Sequence, residues 1–118
     1  MATFSRVLLS GSTSGQPIKV AATATAGTTI HTAIAGATAF DEVYAWVVNT
    51  DTAARTLTIE YGGTTDPDNL FPKALVIPAS SPPIPILTGQ VLNGGLVVRA
   101  FASSANVLLI AGYVNRIM

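Results

Sequence analysis

The sequence predicts an all-β protein: an antiparallel β-sandwich or jelly-roll-like single domain of about eight short strands. Three observations support this. Apolar and polar side chains alternate with a period of two, β-branched residues are frequent, and Gly, Pro, Asn and Ser cluster in the breaks between apolar segments. Because 118 residues leave room for one core, we expect one domain over residues 1–118, with residues 1–16 as an extended N-terminal arm or edge strand.

The individual strands follow from the alternation. Segment 55–61, RTLTIEY, is the clearest, since Leu57 and Ile59 face one way and threonines face the other. Segment 42–49, EVYAWVVN, is apolar on both faces, which is typical of a strand covered on both sides. Turn residues join these two segments, so residues 42–61 are predicted to form a β-hairpin. The predicted strands are 6–10, 17–22, 28–33, 42–49, 55–61, 74–77, 84–87, 96–102 and 107–114.

Residues 21–39 have the one composition that suggests a helix, because they include eight alanines. Six threonines and two glycines in the same segment oppose a helix, since β-branching and Gly both lower helix propensity. We therefore predict strand, loop and strand here. The alternation places His31, the sole histidine, opposite Ile30 and Ile34, so we expect it at the solvent or at an interface.

The composition predicts a surface with few charges. Charged residues make up 10% of the chain, whereas soluble domains average about 25%. Large exposed apolar patches usually mark interaction surfaces, so a homo-oligomer or a subunit of a larger assembly is favoured. The alternative is a neutral monomer covered by Thr and Ser. Net charge is zero and the six basic residues are scattered, so we expect no nucleic-acid partner. No apolar run is long enough to span a bilayer, so no membrane partner is expected.

No catalytic, cofactor-binding or metal-binding residues are predicted. The chain has no cysteine, and His31 has no second histidine to share a zinc ion with. No serine lies in a G-x-S-x-G elbow. Asp41 and Glu42 are adjacent, so on a strand they point to opposite faces and do not form a glycosidase pair. We therefore expect a protein that is not an enzyme and needs no cofactor.

The loop GGTTDPDNLF, residues 62–71, concentrates acidic and amide side chains. Asp66, Asp68 and Asn69 resemble the start of a calcium-binding EF-hand loop, but the glycine and the closing glutamate of that loop are missing. Asp-Pro and Asp-Asn pairs are also turn formers, because their side chains bond their own backbone. The favoured interpretation is a turn whose candidate role is contact with a neighbouring subunit, and a calcium site completed by other oxygens is the alternative.

Three segments together resemble a family of small virion proteins of tailed bacteriophages. They are IKVAATATAGTTIHTA, DEVYAWVVNTDTAARTLTIEYGGTTDPDN and VLNGGLVVRAFASSANVLLIAGYVNRI, and the resemblance runs from about Val20 to the end. It implies a capsid decoration (cement) protein, a β-sandwich, often trimeric, that binds the major capsid protein on the outside of the mature head. It also implies assembly in the host cytoplasm and a final location on the virion surface. No catalytic residues come with it.

Two alternatives of other kinds remain. The first is a carbohydrate- or receptor-binding module of a head or tail fibre, with Trp46, Tyr61 and loop 66–69 as its candidate contacts. Against it, Trp46 lies in the most apolar strand, where core packing is the default expectation. The second is a small tail or neck accessory subunit.

Overall fold

The computed structural model describes residues 3–118 and consists of two antiparallel sheets packed face to face, which confirms the predicted β-sandwich. Within these residues there are nine strands and no helix. Each predicted strand is present, with bounds shifted by a few residues. The strands are β1 Phe4–Leu8, β2 Ile18–Lys19, β3 Thr28–Thr32, β4 Phe40–Asn49, β5 Arg55–Tyr61, β6 Leu75–Ile77, β7 Ile84–Leu92, β8 Val97–Ala102 and β9 Leu108–Ile117.

The strand order is that of a jelly roll. The five-stranded sheet runs β1-β9-β4-β7, with β2 also paired to β9, and the four-stranded sheet runs β3-β8-β5-β6. The partners are nested along the chain: the first strands pair with β9, β3 with β8, β4 with β7 and β5 with β6. A long antiparallel ribbon rolled into two layers has this nested pairing, and it closes around one core.

The core lies between the sheets, and on β4 and β8 every second residue contributes to it. On β4 the burial alternates strictly, with Val43, Ala45 and Val47 fully buried. Leu57 and Ile59 of β5 face them from the other sheet, as the alternation predicts. The remaining buried apolar residues are Leu9, Ile18, Val20, Ile30, Ala33, Ile77, Leu87, Val98, Ala100, Ala102, Leu108, Ile110 and Val114.

The predicted hairpin over residues 42–61 is wrong, because β4 and β5 belong to different sheets. The buried amide of Asn49 ends β4 and explains the crossing. Its Nδ2 donates to the carbonyl oxygens of Ala53 at 3.0 Å and Ile77 at 3.1 Å, and its Oδ1 accepts from the Asp51 amide at 2.8 Å. These bonds tie the turn to β6, so the chain leaves one sheet and enters the other.

The prediction that β4 is covered on both sides also differs from the structure. Among the described residues, the inner side of β4 packs against the core, whereas Tyr44, Trp46 and Val48 on the other side have no protein layer above them and are half-buried only by their neighbours in the sheet. Trp46 is therefore not a core residue. A strand with the sequence of a doubly covered strand is covered by this chain on one side alone.

Candidate interaction surfaces

The loop that follows β5 is closed by Asn69. Its backbone carbonyl accepts from the Tyr61 amide at 2.7 Å, and its backbone amide donates to Thr65 at 2.8 Å. Its side-chain Oδ1 accepts from the Thr65 amide at 3.1 Å. Gly63 packs so closely on this amide side chain that an added Cβ would lie 2.6 Å from Oδ1. Asn69 therefore sets the shape of the loop by hydrogen bonds within it.

The two aspartates of the loop point to solvent and do not join Asn69 at one point. Asp66 pairs with the exposed Lys73 at 3.0 Å. Asp68 and Asn69 border a groove of about 400 Å³ between the sheets, together with Phe71. Asp66 instead borders a separate hollow of about 230 Å³ on the four-stranded sheet. Within residues 3–118 no three His, Cys, Asp or Glu side chains are close enough to hold a metal ion.

A buried ionic cluster joins the two sheets where β3, β4 and β9 meet. Asp41 is fully buried, and Arg116 donates to both of its carboxylate oxygens, at 2.8 Å and 3.0 Å. His31 Nε2 lies 2.8 Å from Asp41 Oδ2, and the Ile34 amide donates to the same oxygen at 3.1 Å. A buried carboxylate needs such partners, since an unpaired buried charge is strongly destabilising.

The backbone fixes the tautomer of His31. The Ser10 amide donates to His31 Nδ1 at 3.0 Å, so Nδ1 is the acceptor and Nε2 carries the proton that it donates to Asp41. Ser10, His31 and Asp41 thus stand together without the geometry of a catalytic triad. The Ser10 hydroxyl accepts from the Thr32 amide instead, and both imidazole nitrogens are occupied.

The expectation that His31 faces solvent or an interface is wrong. The pairing of β3 with β8 shifts register between Thr29 and His31, which is a β-bulge. The bulge breaks the alternation, so Ile30 and His31 are both buried although they are adjacent. Asp41 and Arg116 carry a signal that the sequence reading missed: each continues the inward-facing register of its strand, Asp41 with Val43 and Arg116 with Val114.

The hydrogen bonds of the cluster favour the ionised form of the Asp41 carboxyl. Burial alone would raise the pKa of the Asp41 carboxyl, but the hydrogen bonds from Arg116 and His31 and the guanidinium charge outweigh burial and hold that pKa below 3.8. Tyr61 lies near enough to feel this carboxylate. Burial, with a smaller contribution from the Asp41 charge, raises the pKa of Tyr61 to about 12. Among the described residues its hydroxyl is the one buried side-chain polar atom with no hydrogen-bond partner.

A second buried carboxylate, that of Glu60, faces away from the core. Glu60 is fully buried on the outside of the four-stranded sheet beneath the loop that contains Thr25. Its Oε1 accepts from the Gly27 amide at 2.6 Å, and Oε2 accepts from the Thr25 hydroxyl. These bonds hold the alanine- and threonine-rich loop against the sheet, which explains why the Glu60 carboxylate is buried.

An aromatic and aliphatic surface forms the side of the five-stranded sheet that points away from the core, called the outer face below. Tyr113 is its centre: its ring stacks on Tyr44 at 5.0 Å between centroids and lies 6.1 Å from Trp46. Phe4 and Leu8 flank it on the edge strand and are 71% and 55% exposed. Strand register gives the remaining members of the outer face, which are Arg6, Lys19, Phe40, Glu42, Val48, Pro85, Thr88, Val91, Leu109, Ala111, Asn115 and Ile117.

Three charged side chains stand on the outer face. Arg6 lies over the Tyr113 ring with its Cζ 4.5 Å from the ring centroid, a cation–π contact. Glu42 lies on the other side of β9, in the same row of the sheet as Arg6. Lys19 is at the far margin, paired through β2 with β9. The outer face is therefore an aromatic and aliphatic surface with one acidic and two basic groups.

Comparison of the chain with protein-family models, with curated proteins and with solved structures finds no match. The part of the chain that the structure describes contains no helix able to cross a membrane. Among the described residues, the outer face is the strongest candidate for an interaction surface, because its central strand β4 has an apolar side that the chain leaves uncovered.

The hydrogen bonds of the loop predict different effects on stability for Asn69 and for the two aspartates. Asn69→Ala removes the acceptor for the Thr65 amide and should lower the free energy of unfolding by about 1–2 kcal/mol. The double variant Asp66→Ala/Asp68→Ala loses one exposed ion pair and should change it by less than about 0.5 kcal/mol. Urea unfolding of the two variants measures both changes in the free energy of unfolding. An equal loss in both variants would show that the aspartates, and not Asn69, hold the loop.

The ionic cluster predicts a loss of stability in acid. Because the folded pKa of Asp41 is lowered, its contribution is complete above the unfolded value near 3.8 and is lost as the pH falls through the folded pKa. Asp41→Asn should lower the free energy of unfolding by about 3 kcal/mol near neutral pH and weaken its dependence on pH below about pH 4.

Thermal unfolding from about pH 7 to about pH 2 measures this dependence. Asp51→Asn is the matched control, because Arg55 also lowers the pKa of Asp51, but that pair lies near the surface and solvent screens it. A variant Asp41→Asn with the pH profile of the unaltered protein would contradict the role given to the cluster.

Proposed function

We propose that this chain is a structural subunit of a virion, a capsid decoration protein that binds the major capsid protein on the outside of a mature phage head. The observation that supports the proposal is the outer face. Its strand β4 has the apolar pattern of a strand covered on both sides, yet the described residues cover only one. The second covering layer is then another protein chain, and the subunit is built to work inside an assembly.

The proposed action is energetic. Burial of apolar surface contributes about 25 cal/mol per Å², and a standard protein contact buries about 800 Å² on each partner. A subunit that bridges neighbouring capsid proteins adds this contribution only to a lattice whose spacing matches its contacts. Several contacts made by one oligomer reinforce each other, so each single contact can be weak. Assembly takes place in the host cytoplasm and ends on the virion surface.

A second candidate function rests on the same aromatic residues. Tyr44, Trp46 and Tyr113 form a continuous platform on the outer face, and sugar rings stack on such platforms. A carbohydrate- or receptor-binding module of a head or tail fibre is therefore the alternative. The contacts expected from the sequence for this module do not form one site, because Trp46 and Tyr61 belong to different sheets and Tyr61 packs near Phe71. The candidate sugar contacts are therefore the three aromatic residues of the platform.

The test is co-sedimentation of the purified protein with empty expanded heads of the encoding phage, followed by thermal unfolding of the heads. The proposal predicts that the protein binds the heads and raises their unfolding temperature. Trp46→Ser should weaken binding, because it removes the largest side chain of the outer face and so weakens the association of subunits on which multivalent binding depends. Val76→Ser is the matched control, since Val76 is 62% exposed on β6, away from this face.

Two results decide between the candidates. A protein that binds glycans or host cells but not heads overturns the decoration proposal and supports the fibre module. A protein that binds heads equally well with and without Trp46 contradicts the use of the outer face in assembly.

A further inference from the structure

We propose that the outer face is covered by the outer face of a second copy of this chain, in a two-fold symmetric dimer. This inference names what covers the face and rests only on the shape and charge of the face; a pair joined in this way would bind a capsid through its other surfaces. A two-fold contact places the same patch on both partners, so the patch must complement itself. The outer face meets this requirement in its charges, its area and its apolar centre.

The charges are arranged for self-pairing. Strand register places Arg6 opposite Asn115 on one side of β9 and Glu42 opposite Asn115 on the other. The three residues therefore form one row across the sheet, with Arg6 and Glu42 each about 4.8 Å from the central strand. All three point to the outer face, because Val114, next to Asn115, is buried in the core.

A two-fold axis that lies between the copies, parallel to β9 and above Asn115, brings these charges together. The rotation exchanges the two sides of β9, so Arg6 of one copy faces Glu42 of the other, and the pair occurs twice. Two sheets in face-to-face contact are about 10 Å apart, a gap that an arginine and a glutamate side chain bridge together. The same axis keeps the strands of both copies nearly aligned, as in aligned sheet packing.

The area agrees with a stable contact. Four strands spaced about 4.8 Å apart and about nine residues long give a flat projection of about 550 Å². Side chains as large as Phe4, Trp46 and Tyr113 make the accessible surface larger than its projection, which brings it near the 800 Å² or so that each partner of a standard interface buries. A single sugar ring or a short peptide would cover only part of such a face.

The centre of the face has the composition of an interface core. Tyr44, Trp46 and Tyr113 are adjacent, and aromatic residues are enriched at the centres of interfaces where charged residues are depleted. Arg6 keeps its cation–π contact with Tyr113 while its guanidinium reaches towards the partner. Lys19 lies in an end row of the face, opposite Val48 of the other copy, where its long side chain can extend past the edge of the contact into solvent. The arrangement favours a pair of copies over the trimer that the resemblance implies, because a three-fold contact joins two different patches.

The first measurement is the mass of the full-length protein in solution by sedimentation velocity at micromolar concentration. The proposal predicts twice the 12.1 kDa of one chain. The second measurement is a charge-reversal cycle. Arg6→Glu and Glu42→Arg each place like charges opposite one another twice per dimer and should weaken dimerisation about 100-fold. The double variant Arg6→Glu/Glu42→Arg restores opposite charges and should recover most of that loss.

Lys73→Glu is the control for the reversals, because Lys73 is exposed beside the hollow on the four-stranded sheet, on the opposite side of the sandwich from the outer face. It should leave dimerisation unchanged. Circular dichroism of each variant establishes that the fold is retained, as expected for residues outside the core. A monomer at these concentrations, a trimer, or a double variant as weak as the single ones would overturn the proposal. None of these results depends on whether the protein binds heads.

Discussion

The alternation of side chains along β4 determines both the core side and the outer face of the five-stranded sheet. In an extended strand each residue faces opposite to the next, so the ten residues of Phe40–Asn49 serve two surfaces at once. The inward set begins with Asp41 and ends with Asn49, and these two buried polar residues connect β4 to the other sheet at its two ends. The outward set forms the middle of the aromatic outer face.

The two sides of the five-stranded sheet therefore differ in what their burial can stabilise. The inner side is closed, because its apolar residues pack against the second sheet and its buried ions are paired within the chain. The outer side is open in the single chain, so its burial against another chain would stabilise an assembly instead of the fold. A substitution on the outer face should consequently change association while leaving the core intact. The proposals of a virion subunit and of a two-fold pair both follow from this division.

Much of the fold follows from local pattern. The strands were predictable because segment 55–61 alternates clearly, segment 107–114 is a short apolar run, and Gly and Pro separate the segments. The sheet partners were not, since whether the chain turns back at 49–54 or crosses over depends on distant bonds from Asn49 to Ile77. The burial of His31 was not predictable either, because the bulge before it depends on pairing with β8. The segment EVYAWVVN indicated the outer face, because it is apolar on both sides and one of them has no cover among the described residues.

If another protein chain covers β4, the single tryptophan, Trp46, reports that cover directly. Trp46 is in the middle of the outer face, so quenching of its fluorescence by acrylamide measures whether that face is open to solvent. We expect weak quenching at concentrations where the protein is assembled and strong quenching after dilution, with a matching red shift of the emission. Strong quenching that is the same at every concentration would contradict the proposed cover.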